Sequence, residues 1–150
     1  MSEIKIVIPG EPVAKGRARY SNSGGFVRAY TPSKTKNAET LIKVNAMGEV
    51  ARQGFKRSGQ PLILTLMVFV PIPVSKLKEW KKTCILPITR PDIDNYLKLV
   101  MDALNGIVYK DDNQVVCVKV FKLYSQSPRL EIFIREVDYA IIQQHEKETV

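Results

Sequence analysis

The alternation of Ile4, Ile6 and Ile8 with Lys5 and Val7 predicts a half-buried first strand, which Pro9-Gly10-Glu11-Pro12 breaks. Lys15-Gly16-Arg17-Ala18-Arg19-Tyr20 follows, basic at every other position. In an extended segment that spacing puts Lys15, Arg17 and Arg19 on one face. Ser21 to Gly25 reads as a turn, and Phe26 to Tyr30 as the second arm of a hairpin carrying Arg28. Thr31-Pro32 is a helix start, with Thr31 as N-cap and Pro32 in the first helical position. The helix presents Ala38, Leu41, Ile42, Met47 and Val50 on one face and ends near Gly54. Leu62 to Val70 is almost unbroken apolar sequence and reads as a central strand covered on both sides, ended by Pro71 and Pro73. Ser75 is positioned to cap a short Lys-rich helix around Trp80.

A second long helix is predicted from Asp92 to Asn105-Gly106, burying Leu97, Val100, Met101 and Leu104. Val116, Val118 and Val120 give a strand that continues to Leu123. Ser125 to Pro128 turns it, and Leu130, Ile132 and Ile134 mark its hairpin partner. From about Asp138 the tail is polar. The pattern predicts an α+β fold over residues 1–150: a single domain with a mixed sheet packed by two main helices.

Charge sharpens this picture. A chain of 150 residues with 23 basic and 15 acidic side chains carries a formal +8, which favours a polyanionic partner, nucleic acid first. Cys84 and Cys117 stand far apart in apolar contexts, form no C-x-x-C pair, and read as buried free thiols in a reducing cytosol. The longest apolar run, Pro61 to Pro73, is too short to cross a membrane, and no basic-then-apolar leader opens the chain. The expectation is a cytoplasmic protein.

In so basic a protein the clustering of acids is informative. Arg90-Pro91-Asp92-Ile93-Asp94-Asn95 opens the second helix, and Lys110-Asp111-Asp112-Asn113 precedes the next strand. Helix capping and the helix dipole account for Asp92 and Asp94 separately but not for the set. A hard cation such as Mg²⁺, held by one or two carboxylates with water and phosphate oxygens, accounts for it better. Lys98 follows Asp94 by four residues and Asp102 follows Lys98 by four. Both an exposed ladder of ion pairs and a phosphate-binding role for Lys98 fit that spacing; for Asp102 the ladder is preferred. Asp92 to Asn105 carries the chain about 20 Å away at helical rise. The seven residues from Gly106 to Asp112 span at most about 24 Å. Asp112 can therefore return to Asp92 within one subunit with little slack, or a partner subunit completes the set. Lys15, Arg17, Arg19 and Arg28, interleaved with Tyr20, Phe26 and Tyr30, suit a phosphate backbone and exposed bases, against the alternative of a charge-protected edge.

Other chemistries fail. His145, the single histidine, lies in the tail, which removes histidine-based nuclease sites and catalytic triads. There is no Gly-rich phosphate loop, and Tyr96 and Leu97 break an EF-hand pattern. Carboxylates with lysine suit metal-assisted phosphodiester hydrolysis. A nuclease for flaps or other branched DNA, and a non-catalytic basic DNA-binding protein, are the rival readings.

The run from Arg90 to Asn95, Lys98, Asp102-Ala103-Leu104 and Asp111-Asp112-x-Gln114-Val115-Val116 resembles the RusA family of Holliday junction resolvases. Pro12-Val13-x-Lys15-Gly16-Arg17-x-Arg19 and Tyr30-Thr31-Pro32 look like the opening of its phage-type branch. The resemblance implies a small α/β homodimer that binds four-way DNA junctions. It implies paired symmetric cuts with Mg²⁺, Mn²⁺ being able to replace it, in recombination and repair. By the same resemblance Asp92, Asp94 and Asp112 are the essential aspartates, Lys98 is the catalytic lysine, Asp111 is a neighbouring acid of lesser role, and Arg90 joins the DNA-binding set. The basic run before the aspartates is reduced to Thr89-Arg90-Pro91, a departure from the family's pattern.

Overall fold

A computed structural model describes residues 2–140, 142 and 143; of the predicted polar tail, residues 141 and 144–150, His145 among them, lie outside the described residues. The strands are β1 (Glu3–Pro9), β2 (Arg19–Ser23), β3 (Phe26–Tyr30), β4 (Leu62–Pro71), β5 (Val115–Ser125) and β6 (Arg129–Glu136). Three helices, α1 (Ser33–Gln53), α2 (Leu77–Lys82) and α3 (Ile93–Leu104), join them. Two strands, β2 and β3, form a separate ribbon, and the other four form a mixed sheet in the order β1-β6-β4-β5. The α+β single domain expected from the sequence is the architecture found.

Alternation decides which side of the sheet is dry. Ile4, Ile6 and Ile8 of β1, Leu62, Leu64, Leu66 and Val68 of β4, and Leu130, Ile132 and Ile134 of β6 are all buried. In register, Ile6 opposes Ile132, which opposes Leu66 on its other side, so one row of branched side chains crosses three strands. Ile42 and Ala46 of α1 and Tyr96, Leu99, Val100, Ala103 and Leu104 of α3 close the same core. Burying that much apolar area at about 25 cal/mol per Å² is the principal force holding α3 against the sheet.

Four expectations change. First, β6 is not the hairpin partner of β5: β4 lies between them, parallel to β5 and antiparallel to β6. A strand as apolar as β4 gains most from a ladder on each edge, and Gln126–Pro128 carries the chain over its end. Second, β4 is sealed on one side only. Ile63, Thr65, Met67 and Phe69 are half-buried. Charged side chains shield that face: the Arg129 guanidinium lies 3.9 Å from the Phe69 ring centre, and the Lys5 ammonium 5.0 Å from that of Phe133.

Third, α1 buries Thr35, Ile42 and Ala46, leaving Leu41 and Met47 exposed. Thr31 does not cap it: Pro32 holds the N-cap position, and Gly54 ends the helix as expected, at φ 62°. Ser75 likewise makes no side-chain cap, lying within a 3-10 turn (Val74–Lys76) before α2. Fourth, Cys84 and Cys117 are exposed free thiols. Cys117 belongs to the edge strand β5, where Val116 and Val118 are exposed as well. No helix among the described residues is long and apolar enough to cross a membrane.

Candidate active site

α3 presents its two faces as the sequence dictates. Tyr96, Leu99, Val100, Ala103 and Leu104 go into the core, which turns Asp94 and Lys98 to solvent. Asp92 occupies the N-cap position with extended backbone (φ −75°, ψ 152°), yet its carboxylate accepts no hydrogen bond from the helix. The position is that of a cap; the side chain is free. Asp94 and Lys98 stand 3.4 Å apart with side chains 60% and 63% exposed, a loose pair worth a few tenths of a kcal/mol, about 0.3 to 0.5. Ahead of them, Arg90 is exposed and the Arg90–Pro91 peptide is cis. Lys122 of β5 donates from Nζ to the carbonyls of Thr89, at 2.6 Å, and Pro91, at 3.0 Å.

Asp112 opens a 3-10 turn (Asp112–Gln114) at the other end of α3. Asp111 accepts from the Asp112 N–H at 2.9 Å. Gln114 ties the loop down: its Nε2 donates to the carbonyls of Ser58 (3.0 Å) and Gln60 (3.2 Å), and its Oε1 accepts from Lys110 N–H at 2.8 Å. The fully buried Tyr109 donates its hydroxyl to the carbonyl of Met101 at 2.8 Å, fastening the returning loop to α3. Partial burial, then the neighbouring charges of Asp111 and Asp102, push the Asp112 carboxyl above the usual carboxylate range. Its acidic neighbours are thus Asp111 and Asp102, and Asp102 lies about 12 Å of helical rise beyond Asp94. Among the described residues, no three His, Cys, Asp or Glu side chains are grouped closely enough to hold a metal ion.

The basic residues divide into two sets. Lys15 forms an ion pair with Asp102, and its backbone N–H donates to the Asn95 carbonyl at 3.0 Å, so this segment lies along α3. Asp102 therefore pairs with Lys15 rather than extending a ladder from Lys98. Lys15 and Arg17 are also outside the ribbon, which begins only at Arg19, so the single basic face expected from alternation is interrupted. Gly16 explains part of this: its N–H donates to Thr35 Oγ1 at 3.0 Å, and a Cβ there would stand 3.0 Å from the same oxygen. On the ribbon, Arg19 opposes Tyr30 and Ser21 opposes Arg28, so Arg19, Phe26, Arg28 and Tyr30 share one face. All four are exposed. A cleft of about 610 Å³ opens between the segment, the start of α1 and the head of α3, lined by Arg17, Arg19, Lys34, Pro91 and Tyr96 among others.

Two residues holding this arrangement carry no sequence signal for it. Lys122 reads as an ordinary polar position in a strand, and Gln114 stands in the motif without a stated role.

The model of the family "Endodeoxyribonuclease RusA" matches residues 9–135. The chain belongs to the RusA endodeoxyribonuclease family, whose members resolve Holliday junctions. Over 143 residues it is 41% identical to the Bacillus subtilis (strain 168) protein named "Uncharacterized protein YqaN", covering 91% of this chain and 99% of the other. Over 115 residues it is 31% identical to "Crossover junction endodeoxyribonuclease rusA" of Lactococcus phage r1t, covering 75% and 81%.

Proposed function

We propose that the chain is a Mg²⁺-dependent endonuclease that cuts four-way DNA junctions as a homodimer, Asp92 and Asp94 of one protomer sharing a site with the partner subunit's Asp112. One observation carries the reading: Asp92 holds the capping position of α3 without capping it, so its carboxylate is left without a structural task beside Asp94, which is held only by a loose pair with Lys98. A hard divalent cation takes one or two carboxylates plus water and phosphate oxygens, and the exposed pair fits that demand. When bound, the metal supplies an activated water and neutralises charge on the phosphate. That no three possible ligands are grouped within the chain among the described residues supports completion from a second subunit, and a two-fold pair would present the same patch twice to a nearly two-fold substrate.

The protein's own groups do the remaining work. Lys98, one turn from Asp94, offers its ammonium to the scissile phosphate or the departing oxygen. Arg90, Arg17 and the ribbon face with Arg19 and Arg28 hold the phosphate backbone, while Phe26 and Tyr30 offer surfaces for unpaired bases. Lys15, already paired with Asp102, adds less. Synthetic four-way, flapped and linear DNA, each with Mg²⁺ or with chelator, test the reading. Paired symmetric nicks confined to the junction are expected; nicks on flaps point to a broader branched-DNA nuclease, and binding without nicks refutes catalysis.

A further inference from the structure

The row of β5 that faces the helices reads Val120, Lys122, Tyr124, and Tyr124 is buried. A lysine there needs a reason. Lys122 makes no ion pair among the described residues; its ammonium is spent instead on two carbonyls, those of Thr89 and Pro91. Those two carbonyls bracket Arg90, and the second belongs to the residue immediately before Asp92. A charged donor makes a shorter and stronger hydrogen bond than a neutral one, and two such bonds from one nitrogen fix the path of three successive residues. Thr89 and Arg90 are otherwise exposed and belong to no helix or strand. Among the described residues, no other hydrogen bond holds Thr89, Arg90 or Pro91. Asp92, whose side chain the helix does not hold, has its direction set by that path.

From this we infer that Lys122 is a positioning residue of the nuclease site: it clamps Thr89–Pro91 so that Arg90 and Asp92 face the scissile phosphate together. The inference rests on the reading of Asp92 as a metal-holding carboxylate. Lys122 itself touches neither the metal nor the reacting atoms, so its loss acts on turnover and on metal demand rather than on junction capture. A misplacement of about 1 Å at a reacting group costs on the order of a hundredfold in rate.

The test compares Lys122→Met, Lys122→Gln and Lys122→Arg with the unaltered protein on a synthetic four-way junction. Cutting is measured across a Mg²⁺ titration, binding in chelator, and the thermal midpoint separately. The expected kcat falls between about tenfold and a hundredfold in the methionine variant. Less is lost in the glutamine variant, and least in the arginine variant, whose guanidinium still donates to both carbonyls. The Mg²⁺ concentration for half-maximal cutting rises in the same order. Junction affinity stays within about twofold, because many phosphate contacts share that binding. If the methionine variant does not fold, the glutamine and arginine pair carries the comparison. Equal cutting by all variants, or a loss confined to affinity, overturns the inference; the second result would make Lys122 a phosphate contact. Asp92→Asn is run alongside. If it too cuts normally, the reading of the site has failed; if it is dead while the Lys122 variants are normal, only the clamp has failed.

Discussion

Lys15 and Asp102 are ion-paired across 87 positions of sequence, and the pair lays the basic N-terminal segment along α3. A cation that composition would give to DNA is thereby partly neutralised, and an acid that spacing would give to Lys98 is taken away. With side chains 41% and 40% exposed, the pair contributes at most about 1 kcal/mol to stability. Its importance lies in placing Arg17 and the ribbon beside the head of α3.

This division separates the basic residues in a salt titration. Arg17→Ala and Arg19→Ala are each expected to weaken junction binding and to reduce the slope of log K against log salt by about one. Lys15→Ala is expected to reduce it by clearly less, because the lysine's charge is already shared with Asp102. Equal slopes for all three variants would show Lys15 to be as available to phosphate as the arginines.

Asp94→Asn is expected to abolish cutting while leaving junction binding intact or tighter, since a negative charge facing phosphate is removed. Asp112→Asn should be equally inactive. Co-expressed as a mixed dimer, the two inactive chains are expected to regain nicking of one strand, because one of the two shared sites then has every carboxylate. If each site were built within one chain, the mixture would stay dead. Gel assays of purified mixed dimers, differentially tagged, distinguish the two.

The open face of the sheet predicts a pH dependence of stability. Arg129 Nε donates to Glu131 at 2.7 Å and Lys5 Nζ stands 3.6 Å away; the first of these, mainly, holds the Glu131 carboxyl below its ordinary value of 4.5. A depressed folded-state pKa contributes stability that is present above the unfolded value and lost as pH falls through the folded one. Glu131→Gln is therefore expected to cost about 0.5 to 1 kcal/mol near neutral pH. The difference should shrink below pH 4.5 and vanish at strongly acid pH. Thermal midpoints of both proteins across that range check it.

Tyr109→Phe removes the hydroxyl that anchors the returning loop to the Met101 carbonyl. The expected loss is about 1 to 2 kcal/mol in denaturant unfolding, the usual consequence of deleting one partner of a buried hydrogen bond. Because this loop delivers Asp112, cutting should fall by more than the lost stability alone explains when both are measured at a temperature where the variant is folded.

The strands and helices were readable wherever one side chain period dominated. Ile4, Ile6 and Ile8 announced β1, Leu130, Ile132 and Ile134 announced β6, and Asp92 with Asn105-Gly106 bounded α3 to within a residue. Periodicity does not name a strand's partner, which is why β5 and β6 read as a hairpin although β4 separates them. It also fails at an edge, where Val116, Val118 and Cys117 are exposed despite their apolar character. At the candidate site, the motif located the aspartates but could not show that Asp92 leaves its capping bonds unmade or that Asp111 accepts from the Asp112 N–H. The pairing of Lys15 with Asp102 and the grip of Lys122 on Thr89 and Pro91 are contacts between distant segments, invisible until the chain is folded.

The place of β6 has a consequence for synthesis on the ribosome. Glu3 pairs with Arg135 and Pro9 with Arg129, so β1 leaves the ribosome well before the strand it pairs with. Until β6 arrives, β1 has no neighbour in the sheet and β4 lacks one of its two ladders. Contacts that span nearly the whole chain form slowly. A nascent polypeptide already carrying Asp92, Asp94 and Asp112 therefore lacks the scaffold that orients them, and a product truncated ahead of Arg129 is expected to be inert toward the chromosome.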